Sequence, residues 1–345
     1  MFTKRRLATL GLAIAGAAGF KLLHLPLPFL FGPMAACLIA ALAGANLQGL
    51  GQVSVAARTI LGVAVGASIT PEVLARVPQM MATVALIPLY VALIGLIGVP
   101  FFRKMGFDPV TSWYAAMPGG LQDMVIFGTE AGGNARALSL IHATRVLVIV
   151  SLAPVILTTL YGVKLTGAIG APMLSLPVAE LVLMAIAAVV GWKGGERLGL
   201  FGASILGPMI VTAALSLAGL IHARPPAEAI VTAQLFIGLS IGVHYVGVTW
   251  GELRRVVASG IAFVLILAAL AAGFTEVITL TGLAHPVEAF LAFAPGGQAE
   301  MTVLSLVAGA DLGFVVLHHL TRIVLVILGA PIAARLMRVR TRPED

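Results

Sequence analysis

The chain has 345 residues, 60% of them hydrophobic and 10% charged, with a net charge of +7 and a mean hydropathy of +1.07. Soluble domains carry about 25% charged residues, whereas apolar runs near the roughly 20 residues that cross a bilayer fill this sequence, so a soluble domain of ordinary size is excluded. The positive charge gathers at the ends (Lys4, Arg5, Arg6; Arg335, Arg338, Arg340, Arg342), and there is a single cysteine, Cys37. That is a topology signal and a contact with the lipid bilayer, not a nucleic-acid surface or a disulfide framework.

In chain order, apolar segments are predicted at 7–23, 33–50, 54–70, 80–102 and 134–162, then at 176–193, 203–221, 228–247, 256–283 and 313–334. The first imitates a secretory leader, with Lys4-Arg5-Arg6, an apolar run and Ala15-Gly16-Ala17-Ala18. It is expected to stay as the first membrane segment because it has a counterpart. At a shift of 175, Gly16 falls on Gly191 and Gly19 on Gly194.

That match is one stretch of a duplication covering the chain. Gly32-Pro33-Met34 falls on Gly207-Pro208-Met209 at a shift of 175, and Gly62 and Gly66 fall on Gly238 and Gly242 at 176. From Pro118 the shift is 177 without a gap: Pro118-Gly119-Gly120 maps to Pro295-Gly296-Gly297, Asp123 to Glu300, Asn134 to Asp311, His142 to His319, Arg145 to Arg322 and Pro154 to Pro331. The expected organisation is a membrane repeat at 1–163, a linker at 164–175, a second membrane repeat at 176–337 and a cytoplasmic tail at 338–345.

The Pro-Gly-Gly segments, roughly 108–131 and 286–310, decide the topology. If each dips in and returns, a half has five crossings and the repeats are inverted; if each crosses, a half has six and they are parallel. Five crossings from a cytoplasmic start place Lys4/Arg5/Arg6, Arg103/Lys104, Lys193/Arg197, Arg254/Arg255 and the C-terminal arginines inside, leaving Lys21, Arg76, Lys164 and Arg224 outside. Six crossings move Lys193/Arg197 and Arg254/Arg255 out, against the positive-inside bias. The expected fold is therefore an all-α polytopic membrane protein of two inverted repeats, each of about five transmembrane helices with a Pro-Gly-Gly re-entrant or broken hairpin, and with both termini in the cytoplasm.

Pro followed by two glycines does not continue a helix cheaply. Irregular backbone at membrane depth is tolerated only inside protein or beside a water-filled cavity, and paired breaks in a repeat point to a transporter site. The candidate substrate or ion site is therefore Pro118, Gly119, Gly120, Gln122, Asp123, His142 and Arg145 with Pro295, Gly296, Gly297, Gln298, Glu300, His319 and Arg322. Asp123 and Glu300 suit proton or cation coupling, or the capping of the half-helix that follows. Gln122 and Gln298 suit hydrogen bonds to substrate. His142/Arg145 and His319/Arg322 share a helical face, where the arginines would hold a carboxylate of substrate or pair with Asp123, Glu130, Glu300 or Asp311. The histidines would change charge near neutral pH or make buried hydrogen bonds. Gly62-x-x-x-Gly66 and Gly238-x-x-x-Gly242 suit close helix packing, within the chain or in a homodimer.

Leu30-Phe31-Gly32-Pro33-Met34, Leu206-Gly207-Pro208-Met209, Met117-Pro118-Gly119-Gly120, His142-Ala143-Thr144-Arg145, Ala294-Pro295-Gly296-Gly297 and His319-Leu320-Thr321-Arg322 together resemble the AbrB membrane-protein family. The resemblance spans essentially the whole chain. It implies an internally duplicated bacterial membrane protein linked to regulation of gene expression, labelled in places an ammonia monooxygenase or a transcriptional regulator, and it brings no catalytic residues. The layout is similar, as a fold-level analogy, to sodium:glutamate and 2-hydroxycarboxylate symporters.

A copper oxygenase needs clustered imidazoles, and the seven histidines are scattered; direct DNA reading needs a basic reading element, and none is recognisable. No catalytic residue, metal or cofactor is expected, and no nucleic-acid partner. The expected function is secondary transport of a small anionic or polar metabolite with a coupling ion, H+ or Na+, across the bacterial inner membrane. The alternative is a non-transporting membrane sensor that affects gene expression indirectly.

Overall fold

Every predicted apolar run contains helix. The computed structural model describes residues 3–25, 27–165, 170–200, 202–337 and 339, and for Gln122 the backbone alone. Residues 166–169 of the expected linker and nearly all of the expected tail lie outside that range. In the first half the helices are α1 (Lys4–Leu22), α2 (Pro28–Leu42), α3 (Gln52–Gly66), α4 (Pro71–Val84), α5 (Leu86–Lys104), α6 (Pro109–Ala116), α7 (Leu121–Glu130) and α8 (Ala135–Thr159). The second half has α9 (Val178–Arg197), α10 (Ala203–Leu217), α11 (Ala227–Val243), one turn α12 (Trp250–Glu252) leading through a π-helical turn at Leu253–Val257 into α13 (Ala258–Leu280), then α14 (Pro286–Phe293), α15 (Gln298–Ala308) and α16 (Leu312–Leu336).

Among the described residues, five helical stretches are long and apolar enough to cross a membrane: Pro71–Lys104, Ala135–Thr159, Val178–Arg197, Trp250–Leu280 and Leu312–Leu336. α2, α3, α10 and α11 are apolar but shorter, at 15 to 17 residues; at 1.5 Å per residue each covers about 22–26 Å of a hydrocarbon core about 30 Å thick. The sequence expectation ran 33–50 and 203–221 as single apolar segments. The helices there stop at Leu42 and Leu217, because Gly44 and Gly219 enter the left-handed region at φ +88° and +68° and close the helix ends.

The chain forms two compact units, and neither is a sequence repeat. One comprises Met1–Pro78, Leu157–Gly247 and Thr302–Gly313; the other comprises Gln79–Ile156, Val248–Met301 and Phe314–Asp345. In the first, α1 lies on α2 where Gly16 meets Gly32, and α9 lies on α10 where Gly191 meets Gly207; a β-carbon at any of these four would strike the facing backbone. Both Gly-x-x-x-Gly pairs are used inside this unit. Gly62 and Gly66 pack on α10 at Ile205 and Met209, and Gly238 and Gly242 pack on α2 at Leu30 and Cys37, so a homodimer would need another face. The second unit holds the aromatic core: Tyr90 stacks edge-on against Phe274 and Phe293 at 5.1 and 5.3 Å, and Phe263 against Phe102 at 4.8 Å.

Candidate functional site

Both Pro-Gly-Gly stretches interrupt helix within the second unit. α6 starts at Pro109 with Asp108 as its cap, the carboxylate accepting from Thr111 N at 2.9 Å. It ends at Ala116; Met117 (ψ 129°) and Gly120 (ψ 143°) are extended, and α7 begins at Leu121. α14 likewise starts with a proline, Pro286, and ends at Phe293; Ala294 is extended (ψ 132°), and α15 begins at Gln298. Each break leaves the carbonyls at the end of one short helix and the N–H groups at the start of the next without intrahelical partners.

The paired His and Arg take three carbonyls at each break, one on the short helix and two within the break. Arg145 Nη1 donates to Met117 O at 3.2 Å and Nη2 to Gly119 O at 2.6 Å, and His142 Nε2 bonds Tyr114 O at 3.0 Å. In the second copy Arg322 donates to Ala294 O and Gly296 O, both at 2.9 Å, and His319 Nε2 bonds Leu291 O at 2.9 Å. All three acceptors, like their donors, are related by 177 residues. Packing repeats in the same register: the fully buried Met124 and Met301 cover Gly119 and Gly296, where an added β-carbon would lie 2.7 and 2.6 Å from the methionine methyl groups.

The expected ion pairs give way to this arrangement. The two guanidinium forks hold backbone carbonyls, and Asp311, offered as a partner for Arg322, is bound at 2.8 Å by Arg76. Both arginines are at least 96% buried, at 4% and 2% relative exposure, and Arg145 lies within electrostatic reach of Arg322, Tyr90 and Glu300. His319 is a neutral imidazole by its contacts: a carbonyl takes the proton of Nε2, and Nδ1 faces Arg322 Nη2 at 3.0 Å, a donor only. It therefore orients the guanidinium. His318, which has no histidine counterpart in the first half, points elsewhere, to Thr83 Oγ1 at 2.9 Å and Phe314 O at 2.8 Å.

Beyond those three carbonyls, the less buried side of each break is the N-terminal end of α7 or α15. Pro118, Gly119, Pro295 and Gly296 are buried, whereas Gly120, Leu121 and Asp123, and likewise Gly297, Gln298 and Glu300, are half-buried. Asp123 and Glu300 occupy the first turns of these helices, where a negative charge gains about 0.3–1 kcal/mol from the dipole. The Glu300 carboxylate folds back over Gly297 so closely that a β-carbon there would strike it. The side chain of Gln122 lies outside the described residues. Sequence reasoning missed the polar contacts that brace the breaks: Tyr90 OH to Phe293 O at 2.8 Å, Trp113 Nε1 to Ala330 O at 3.1 Å, and Asn134 N to Thr111 Oγ1 at 2.8 Å. The last was within reach, because Thr111 and Asn134 recur as a second polar pair, Glu288 and Asp311, at the shift of 177.

The chain matches known proteins over most of its length. It is 26% identical over 334 residues to a protein of Escherichia coli (strain K12) whose name marks it as a proposed regulator, AbrB, covering 94% of each chain. It is also 28% identical over 295 residues to YhjN of Bacillus subtilis (strain 168), named as uncharacterised, covering 81% of this chain and 77% of that one. The family profile described as "Transition state regulatory protein AbrB" matches residues 29–338, and the chain belongs to that AbrB family.

Proposed function

We propose that this protein is a secondary transporter and not an enzyme, carrying a small anionic or polar metabolite coupled to protons or sodium, with its site at the two Pro-Gly-Gly breaks. One observation carries the proposal: the same three hydrogen bonds, 177 residues apart, hold both breaks open. A kink alone needs only a proline. Committing a buried arginine to each four-residue break occupies its carbonyls and leaves the break open toward the next helix N-terminus, whose positive dipole end suits an anion. Asp123 and Glu300 at those ends supply carboxylates for a proton or a cation, and Gln298 a polar group for substrate.

Two hydrogen bonds support the inverted arrangement with ten crossings and re-entrant hairpins. Arg224 Nε donates to Ser68 Oγ at 3.2 Å, and Arg255 Nη2 to Gly106 O at 2.5 Å. Six crossings per half would put the members of each pair on opposite sides of the bilayer; five put Ser68 and Arg224 outside, Gly106 and Arg255 inside. Both termini then lie in the cytoplasm of a bacterial inner membrane. The regulatory names of the family and of the E. coli relative favour a second reading, a membrane sensor that uses the same site without flux.

Charge movement in proteoliposomes on a solid-supported membrane separates the two. Organic acids, amino acids and sulfonates would be applied with and without sodium and a pH step, and tracer exchange measured in parallel. A saturable signal is expected, with its ion dependence lost in Asp123→Asn. Ligand binding with neither current nor exchange would replace the transporter by the sensor, and unchanged ion dependence in the variant would remove Asp123 from coupling.

A further inference from the structure

We infer that the first compact unit contains a second binding site, for a small monoanionic carboxylate, in the cavity lined by Ser68, Thr70, Arg76, His222, Arg224 and Asp311. The cavity measures about 330 Å³ and takes none of its lining from the Pro-Gly-Gly breaks. At about 30 Å³ per water it holds roughly ten waters, room for a three- to five-carbon acid with a few waters left. Three turns and the starts of two helices build it: residues 67–70 after α3, 222–224 after α10 and 310–311 before α16, with Val73 and Arg76 of α4 and Leu312 and Gly313 of α16.

The polar groups converge in a way that packing alone does not require. Arg224 is half-buried; its Nε donates to Ser68 Oγ at 3.2 Å, and its four terminal N–H groups have no acceptor among the described residues. Burial lowers the Arg224 pKa from its ordinary value, a cost that a bound anion would offset. The loop that carries it is pinned in advance: Glu180 accepts from the backbone N–H groups of His222 and Ala223, each at 3.1 Å, and meets His222 Nδ1 at 3.2 Å. A preorganised guanidinium with free terminal donors recognises a carboxylate by two parallel bonds.

Charge selects a monoanion. Arg76 and Arg224 contribute two positive charges and Asp311 one negative, and Asp311 already holds Arg76 at 2.8 Å. Access is open, since the Arg76 and His222 side chains are 55% and 70% exposed. The repeat also departs from itself here, with Asn134 standing where the second half has Asp311.

Isothermal titration of the full chain in detergent, in chloride-free buffer, tests this with propionate and its neutral isostere propionamide. Propionate is expected to bind and propionamide not to. Arg224→Gln should weaken propionate at least tenfold. Asp311→Asn should tighten it, because it removes a competing carboxylate; damage to the fold would instead weaken both variants. No propionate heat with folded protein, equal binding of the amide, propionate binding unchanged in Arg224→Gln, or weakening in Asp311→Asn would each overturn the assignment. The assay reads binding without flux, so its outcome is independent of whether the breaks transport.

Discussion

At the residue scale, Arg145 and Arg322 are the side chains that hold the backbone carbonyls of the two breaks. Backbone carbonyls buried without donors are expensive, and in membrane proteins each interhelical hydrogen bond contributes about 0.6–2 kcal/mol. Replacing either arginine by methionine leaves two carbonyls unpaired and should cost about 2–4 kcal/mol. Lysine keeps the charge but has no planar fork to serve two acceptors at once, so Arg322→Lys should fall between. Thermal unfolding followed by helical circular dichroism should show Tm falling in the order wild type, Lys, Met, and by similar amounts at 145 and 322, since the bonds are the same. A loss at one position alone would mean that the two breaks are not equivalent. These residues stood out in the sequence by their repetition. What they bind did not, because a buried guanidinium has the same sequence signature whether it faces substrate, a carboxylate or a carbonyl.

At the element scale, small residues set how closely helices approach. Gly242 on α11 sits over Cys37 on α2, where an added β-carbon would lie 2.6 Å from the cysteine Cβ and 2.8 Å from Leu38 N. Backbone cannot move aside as a flexible side-chain end can, and overpacking of this kind costs about 1–3 kcal/mol or more. Gly242→Val should push α2 and α11 apart and make Cys37, which has 0% exposure, reactive to a maleimide. Gly273 on α13 has nothing within 4 Å of its would-be β-carbon. Gly273→Ala should leave Cys37 protected and Tm unchanged or raised, since alanine gains up to about 1 kcal/mol over glycine in a helix. Equal reactivity in both variants would show that the contact does not hold the pair together. The glycine spacing was legible beforehand, but its partner was not: Gly-x-x-x-Gly says that a helix comes close, without saying which one or in which chain.

At the scale of the whole molecule, the proposed inversion makes a prediction that ordinary folding arguments do not. Met105 and Leu283 flank Gly106 and Gly282, both left-handed at φ +82° and +68° and 176 residues apart, so they occupy corresponding turns of the two halves. Inverted halves place corresponding turns on opposite faces. In a Cys37→Ala background, Met105→Cys and Leu283→Cys, both partly exposed at 43% and 42%, should react with a membrane-impermeant maleimide from opposite sides: Leu283→Cys in intact cells, Met105→Cys only after permeabilisation. Labelling of both from one side would make the repeats parallel and overturn the inversion. In the same arrangement all three turns that line the Arg224 cavity fall outside, so its carboxylate would arrive from the outer face.

Composition alone determined the environment, because a chain that is 60% hydrophobic and 10% charged buries its apolar surface in lipid. The duplication, legible as shifts of 175 to 177, determined the helices and the two breaks, because backbone preferences at proline, glycine and the caps are local and repeat with the residues that cause them. Tertiary structure decided the rest. It gave the arginines to carbonyls, ended α2 and α10 early, put the Gly-x-x-x-Gly pairs inside one unit, and brought Ser68 and Arg224 together across 156 residues. It also divided the chain into units that mix the two halves, since α3 packs on α10 and α11 on α2. These outcomes depend on which surfaces meet, and pairing between distant segments leaves no periodicity in the sequence to read.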